Sequence, residues 1–370
     1  MSGVCCPPRL SVVLPVYNGE PFLADALDSI LTQDFRHFEL IAIDDGSSDR
    51  SGDMLDRLAL TDRRVRVLHQ TNAGMVAALN CGLDLARGDF IARMDQDDVA
   101  HPERFARQIA FLDAHLDIAV VGCAVTLIDQ SGKRIRDVEY PLTPEAVSKF
   151  LERGAPLAHP AAMMRREAVH AVGAYRAAFR YGEDYDLWLR IAERYRIANL
   201  PERLLLYRQH PTKQSFAYAV EQRFATRIAW FAARCRRAGK PDPTSGLVAL
   251  TPSDIDAFDL SSRERANIRL ELVEALLEAD PAMAKPGAAA KALELFALVD
   301  PAAADRGRLV RAMMMLASGF ARRREPLAAA RWLLRALTCS RSAFVDVGAI
   351  ALHWSARRLA RLGRVWRPAN

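Results

Sequence analysis

Three carboxylates fall within four residues at Asp95, Asp97 and Asp98, in a turn that directly follows the apolar run Phe90-Ile91-Ala92. Like charges at that spacing repel and raise one another's pKa, so a cation is their natural partner. Hard divalent ions such as Mg²⁺ take carboxylate oxygens and often keep only one or two protein ligands, leaving the rest of the shell to water and substrate phosphates. The turn is therefore a candidate site for a metal with a diphosphate. A plainer reading stands beside it: Asp97 and Asp98 cap the helix that begins near Pro102, because Asp is favoured at such ends.

The elements that lead to this turn alternate. Leu10-Ser11-Val12-Val13-Leu14 reads as a buried strand ended by Pro15. Pro21 to Thr32 reads as a helix, with Phe22, Leu23, Ala26, Leu27, Ile30 and Leu31 at three- and four-residue spacing and Pro21 in its first turn. Phe38 to Ile43, Val65 to His69 and Phe90 to Met94 are three further strands, separated by helices over Ser51 to Leu60 and Gly74 to Ala86. Such alternation predicts an α/β fold with a mostly parallel, twisted sheet, helices on both faces and ligands beyond the carboxyl ends of the strands. Tyr17 and Asn18, Asp44 and Asp45, Asn72, and finally Asp95, Asp97 and Asp98 follow the four strands in turn. Each alone is an ordinary turn or cap residue. Together they direct four strand ends to one crevice. Neither a Gly-x-Gly-x-x-Gly after the first strand nor a Walker-type lysine loop occurs, so a metal must hold the phosphates.

After residue 100 the alternation loosens. Pro102 to Ala114 and Pro144 to Leu151 read as helices, Ala119 to Ile128 as strand material broken near Gly122, and Asp129 to Gly132 as a hairpin turn. Ala158-His159-Pro160 introduces a strand over Ala161 to Met164 and a short helix ending at Gly173. His159 either lines the cleft or is a structural turn residue before proline. Gly182-Glu183-Asp184 opens an amphipathic helix to Arg194, and acids at a helix's positive end are favourable in themselves.

From Phe216 onward Ala, Leu and Arg dominate. Helices are expected over Glu221 to Ala238, Ser261 to Asp280, Ala288 to Val299 and Arg308 to Arg322, with more to residue 363 and a linker over Gly239 to Pro252. No repeat of about 34 residues is evident. Phe344 to Arg367 is amphipathic and basic, with Trp354 and Trp366; it suits either an anionic membrane surface or a docked terminal helix.

At 370 residues the chain predicts two domains, drawn here at 1–215 and 216–370. With 51% hydrophobic and 26% charged residues it can pack a core and stay soluble. The net charge of +6 permits attraction to phosphates, nucleic acid or an anionic membrane, but no nucleic-acid-binding motif accompanies it, and nucleic acid is not expected as a partner. The six cysteines contain no Cys-x-x-Cys pair, the start lacks the form of a secretory signal, and no apolar run reaches about 18 residues. A cytoplasmic location follows as the expectation.

The stretches Ser11 to Asn18, Ile43 to Asp49, Asn72 through Asn80, Ala92 to Asp98 and Gly182 to Arg190, in that order, resemble the motifs of family 2 glycosyltransferases with a GT-A fold, over roughly residues 9 to 215. The resemblance implies transfer of a sugar from a nucleotide diphosphate sugar to an acceptor hydroxyl, usually with inversion. It places Pro15, Tyr17 and Asp45 at the base and ribose, with Asn18, Asn72, Arg93 and Asp95 also on the nucleotide-sugar side. Asp95 and Asp97 match the first and last acids of the Asp-x-Asp motif, Asp97 being the first metal ligand, with Asp98 in support by hydrogen bonding. Leu204 to Pro211, with Ser215 beyond, resembles the segment that closes the site, and His210 there is a second ligand for Mg²⁺ or Mn²⁺. Asp184 is the general base, with Glu183 as its nearby substitute, and the helix end is expected to keep Asp184 ionised and only modestly basic. A saccharide or lipid-linked acceptor in cell-surface glycan synthesis is implied, at the inner face of the membrane, with the basic C-terminal helix as a peripheral anchor. The rival readings are a non-catalytic nucleotide-sugar-binding scaffold acting through its helical C-terminal region, and a nucleotidyltransferase, which usually carries a Gly-rich basic loop where this chain has Pro-Val-Tyr-Asn-Gly.

Overall fold

The computed structural model describes residues 7–210, 218–280, 283–285 and 287–339. The chain divides into two compact units, Met1–Phe216 with Ala225–Leu250, and Ala217–Phe224 with Thr251–Asn370.

In the first unit, β1 (Leu10–Val16) lies between β2 (Phe38–Asp44) and β4 (Phe90–Arg93), with β3 (Val65–His69) outside β2 and all four strands parallel. The sheet then becomes mixed. β8 (Met163–Arg165) pairs antiparallel with both β4 and β6 (Ile118–Ile128), and β6 runs parallel to β9 (Arg196–Arg208). Two short strands, β5 (Val99–Ala100) on β9 and β7 (Arg134–Val138) on β6, complete it in antiparallel sense.

Every residue of β1, β2 and β4 is buried, as a sheet covered on both faces requires. Leu10, Val12, Leu14 and Val16 pack with Leu23, Leu27 and Ile30 of α1 (Glu20–Leu31), Leu55 of α2 (Ser51–Thr61) and Phe105 of α4 (Arg104–Ala114). Val13, Ile41 and Ile43 face the other way, toward Val76, Leu79 and Leu83 of α3 (Met75–Leu85) and Trp188 of α7 (Glu183–Ala192). Helices α5 (Pro144–Phe150) and α6 (Arg166–Ala171) add to this second layer through Val147, Ala168 and Val169.

Two sequence expectations need correction. β1 does not stop at Pro15 but runs on to Val16. Val13 O accepts from Met94 N–H while Val16 O accepts from Asp45 N–H, so residues 13 and 15 address the β4 side. Because β4 ends opposite Val13, the missing N–H of Pro15 breaks no ladder bond. Likewise β6 is unbroken at Gly122. A Cβ there would lie 2.1 Å from Asn199 Oδ1 and 2.8 Å from Leu157 Cβ, so the glycine admits close neighbours rather than ending a strand.

α8 (Ala219–Arg237) gives its residues from Ala225 onward to the first unit. Asp242, in the stretch that composition marks as a linker, accepts from Arg176 Nη1 at 2.9 Å and Arg236 Nη1 at 2.6 Å. The second unit is helical: α9 (Ser262–Ala279), α10 (Ala288–Ala297), α11 (Arg306–Arg322) and α12 (Pro326–Cys339) bury Leu270, Val273, Leu309, Leu316, Phe320 and Trp332 together. Ser261 and Glu264 form a capping box at the head of α9, satisfying two otherwise orphaned N–H groups. No helix among the described residues is long and apolar enough to cross a membrane. The basic segment Phe344 to Arg367 lies outside the described residues, as do Pro211 and Ser215.

Candidate functional site

β4 ends at Arg93, and the acidic turn fills the short gap before β5, so the chain has little freedom there. One ligand oxygen from each of Asp95, Asp97 and Asp98 lies within 4.8 Å of the others. Gln96 fixes the turn from one side: its Oε1 accepts from Tyr17 N–H at 2.7 Å and its Nε2 donates to Tyr17 O at 3.0 Å. Arg208, at the end of β9, fixes it from the other. Its backbone N–H donates to Asp98 Oδ1 and its Nε to Asp97 O, each at 2.8 Å, while its Nη2 meets Asp25 Oδ2 at 3.0 Å. The guanidinium stands over the Phe22 ring, which also lies against His210. His210 Nε2 is 2.7 Å from Asp97 Oδ2. Asp97 and His210, 113 residues apart in sequence, thus lie side by side. The capping alternative does not hold, since α4 starts at Arg104 behind Glu103 and has no side-chain cap bond. Carboxylates beside an imidazole are a donor set that can hold a divalent cation. Asp98 Oδ1 accepts from the Arg208 backbone N–H.

The residues expected on the nucleotide side surround the neighbouring strand ends. Pro15 is the penultimate residue of β1 and Tyr17, just beyond it, is 48% exposed. Asn18 adopts a left-handed φ of 48° and joins two loops, its Oδ1 accepting from Ser48 N–H at 2.8 Å and its N–H donating to Ser47 Oγ at 3.0 Å. Asp45 is buried, and its carboxylate accepts from Gln70 Nε2 and from the N–H groups of Ala73 and Gly74, at 2.7, 2.8 and 2.8 Å. Those bonds shape the loop that carries Asn72, which is exposed. Neither Gln96 nor this bracing role of Asp45 was foreseen. The amide at the centre of the Asp-x-Asp turn was the one available signal.

Glu183 and Asp184 occupy the first turn of α7. Arg93, itself buried, lies 2.6 Å from Asp95 Oδ2 through its Nη1, and its charge also acts on both α7 carboxylates. Burial raises Asp184 above the ordinary carboxylate range, outweighing the N–H bond from Tyr185 and the Arg93 charge, so the expected modest basicity is corrected upward. Burial, then the Asp184 charge, pushes Glu183 up to about 8. His159 is buried beside them. Its Nε2 lies 2.7 Å from Tyr175 Oη and its Nδ1 3.7 Å from Glu183 Oε1, and burial with the Arg93 charge holds it well below its usual range, hence neutral. Behind them Asp186 is fully buried between Arg176 and Arg190, and Arg190 also donates to Val172 O and Ala174 O, which anchors the head of α7.

The sequence model described as Glycosyl transferase family 2 matches residues 11–173. EpsE of Bacillus subtilis (strain 168) is 35% identical over 242 residues, 63% of this chain and 84% of that protein. The amylovoran biosynthesis glycosyltransferase AmsE of Erwinia amylovora is 34% identical over 54% of this chain and 75% of its own length. The O-antigen biosynthesis glycosyltransferase WbnJ of Escherichia coli is 32% identical over 56% and 84%. Among solved structures, S. aureus TarS 1-349 in complex with UDP-GlcNAc superposes with a TM-score of 0.51 at 16% identity, covering 88% of this chain and 90% of that one. The mannosyltransferase PcManGT from Pyrobaculum calidifontis, in complex with GDP-Man and Mn²⁺, gives 0.50 at 20% identity, covering 90% and 86%.

Proposed function

We propose, for a chain that belongs to glycosyltransferase family 2 and has its GT-A fold, that it moves a sugar from a nucleotide diphosphate donor to an acceptor hydroxyl with inversion at the anomeric carbon. Asp97 and His210 would hold Mg²⁺ or Mn²⁺, with Asp95 beside them. A bound ion supplies positive charge against the diphosphate as it leaves. Tyr17 and Asn72, exposed at the strand ends, frame the nucleotide, and Asn18 and Asp45 hold the loops that present them. The nucleotide sugars bound by TarS and PcManGT support this donor class.

Arg93 is the observation that carries the reading. Its ion pair with Asp95 and its charge on Glu183 and Asp184 make the acidic turn and the head of α7 one cluster. In a direct displacement the acceptor hydroxyl must lose its proton as it attacks, and Asp184, raised by burial, is a better proton acceptor than a carboxylate in water. The names of AmsE and WbnJ support cell-surface glycan assembly as the setting, with a saccharide or lipid-linked acceptor. Work at the inner membrane face, anchored by Phe344 to Arg367, rests on the sequence of that segment.

Asp184→Asn tests the base. The amide keeps shape and polarity, so nucleotide affinity should persist while transfer falls by about 10²–10⁴-fold, the usual worth of a general base. Transfer at the normal rate would remove Asp184 from that role.

A further inference from the structure

We propose that His69 is a pH-sensitive clamp: as an imidazolium it donates from both ring nitrogens, to Asp44 of β2 and to Asp56 of α2, and holds the loop between those elements until rising pH opens the α2 contact. The inference rests on the proposed function only for its bearing on nucleotide binding.

Two distances decide the protonation state. His69 Nδ1 lies 2.8 Å from Asp44 Oδ2, and its Nε2 lies 2.9 Å from Asp56 Oδ1. A carboxylate only accepts, so each nitrogen at that range must carry a hydrogen, whereas a neutral imidazole has one N–H and one lone pair. The imidazolium alone serves both partners. Other charged groups nearby are engaged elsewhere or make no bond to the ring. Glu39 of β2 accepts from Ser11, Arg66 and Arg87, and Asp62 beyond α2 is bound by Arg64. Asp53 and Arg57, the other charged residues of α2, form no hydrogen bond or ion pair with the ring. The bonds to Asp56 and then Asp44 raise His69 above its ordinary range against the cost of burial.

The surroundings fit such a clamp. Asp44 is buried and its second oxygen accepts from Ser47 N–H at 3.0 Å; burial works to raise its pKa, but the bonds from Ser47 and His69 prevail and hold it below the usual carboxylate range. A Cβ on Gly52, in the first turn of α2, would lie 3.1 Å from Asp44 Oδ2 and 3.6 Å from His69 Cε1. The glycine leaves the pair its room. Ser47 Oγ accepts in turn from Asn18 N–H, which links the clamp to the loop after β1. As the pH rises the proton to leave is the one on Nε2, because the Asp56 side chain is 61% exposed and can turn to water, while that of Asp44 is 8% exposed and cannot. Nδ1–H then stays on Asp44, and α2 is released.

The full chain, labelled with ¹⁵N at histidine, tests this without any ligand, the His69 signals being those lost in His69→Gln. At about pH 6 both ring nitrogens should read as protonated, with a titration midpoint above the ordinary 6.5 that Asp56→Asn lowers. A histidine raised on folding stabilises fully below 6.5, and that contribution is lost as the pH climbs through the folded-state value. Urea midpoints of wild type should therefore exceed those of Asp56→Asn at about pH 6 and converge with them above the His69 midpoint. A ring with one bare nitrogen at about pH 6, a titration that Asp56→Asn leaves in place, or urea midpoints that run parallel would each overturn the clamp. Nucleotide should bind more tightly to wild type than to Asp56→Asn at about pH 6 and equally above the His69 midpoint; equal affinity throughout would overturn the link to the nucleotide loops. Absence of nucleotide binding in both proteins would count against the proposed function, while the ring nitrogens would still decide the clamp.

Discussion

Both oxygens of the Asp45 carboxylate are engaged by N–H donors from residues 70–74, and this makes the residue a strut for the loop after β3. Asp45→Asn would turn an amide N–H₂ toward donors that need an acceptor, leaving at least one half-buried N–H without its protein acceptor. A loss of about 1–3 kcal/mol is expected in urea unfolding, with weaker nucleotide binding as the loop loosens. An unchanged midpoint would contradict the bracing role. At this scale the sequence is legible where chemistry is concentrated. Three acids in four residues announce the turn, and Glu183-Asp184 announces the head of α7. Partners from distant parts of the chain are not legible by spacing: the Gln96 clamp on Tyr17 spans 79 residues, and His159 meets Tyr175 and Glu183 only because a 3-10 turn and α7 converge. His210 was reached through its resemblance to a closing segment, not through its separation from Asp97.

The elements divide in the same way. β1 to β4 and α1 to α3 were readable because fully buried parallel strands are short apolar runs, and the helices between them keep a 3.6-residue stripe. β7 was missed because it is exposed along Arg134–Arg136, and β9 because Asn199 and Pro201-Glu202-Arg203 interrupt its apolar residues. β5 is two residues long and exists only through its pairing with β9. Gly122 shows how a correct observation can be given the wrong cause: its small size serves packing on Asn199 and Leu157, not a break. Gly122→Ala should therefore cost about 1–3 kcal/mol through forced displacement of those side chains. A thermal midpoint equal to that of wild type would show that β6 has more room than the geometry allows.

For the molecule as a whole, the parallel half of the sheet brings the ends of β1, β2 and β4 together, and the mixed half returns α7 and His210 to them. The consequence is one cluster in the first unit that joins an acidic turn, a buried arginine and a raised carboxylate pair. The helical second unit has its own core and its own buried charges, with Arg308 meeting Glu271 and Glu274. On the proposed function, this cluster grips a nucleotide diphosphate through a divalent ion held by Asp97. Calorimetric titration of UDP, GDP and dTDP into the full chain, with and without Mn²⁺ and beside Asp97→Ala, tests it most directly. One nucleotide should bind, with an affinity that depends on Mn²⁺ and a dependence that is lost in the variant. Binding of none of the three by folded protein, or binding that neither Mn²⁺ nor Asp97→Ala alters, would contradict it.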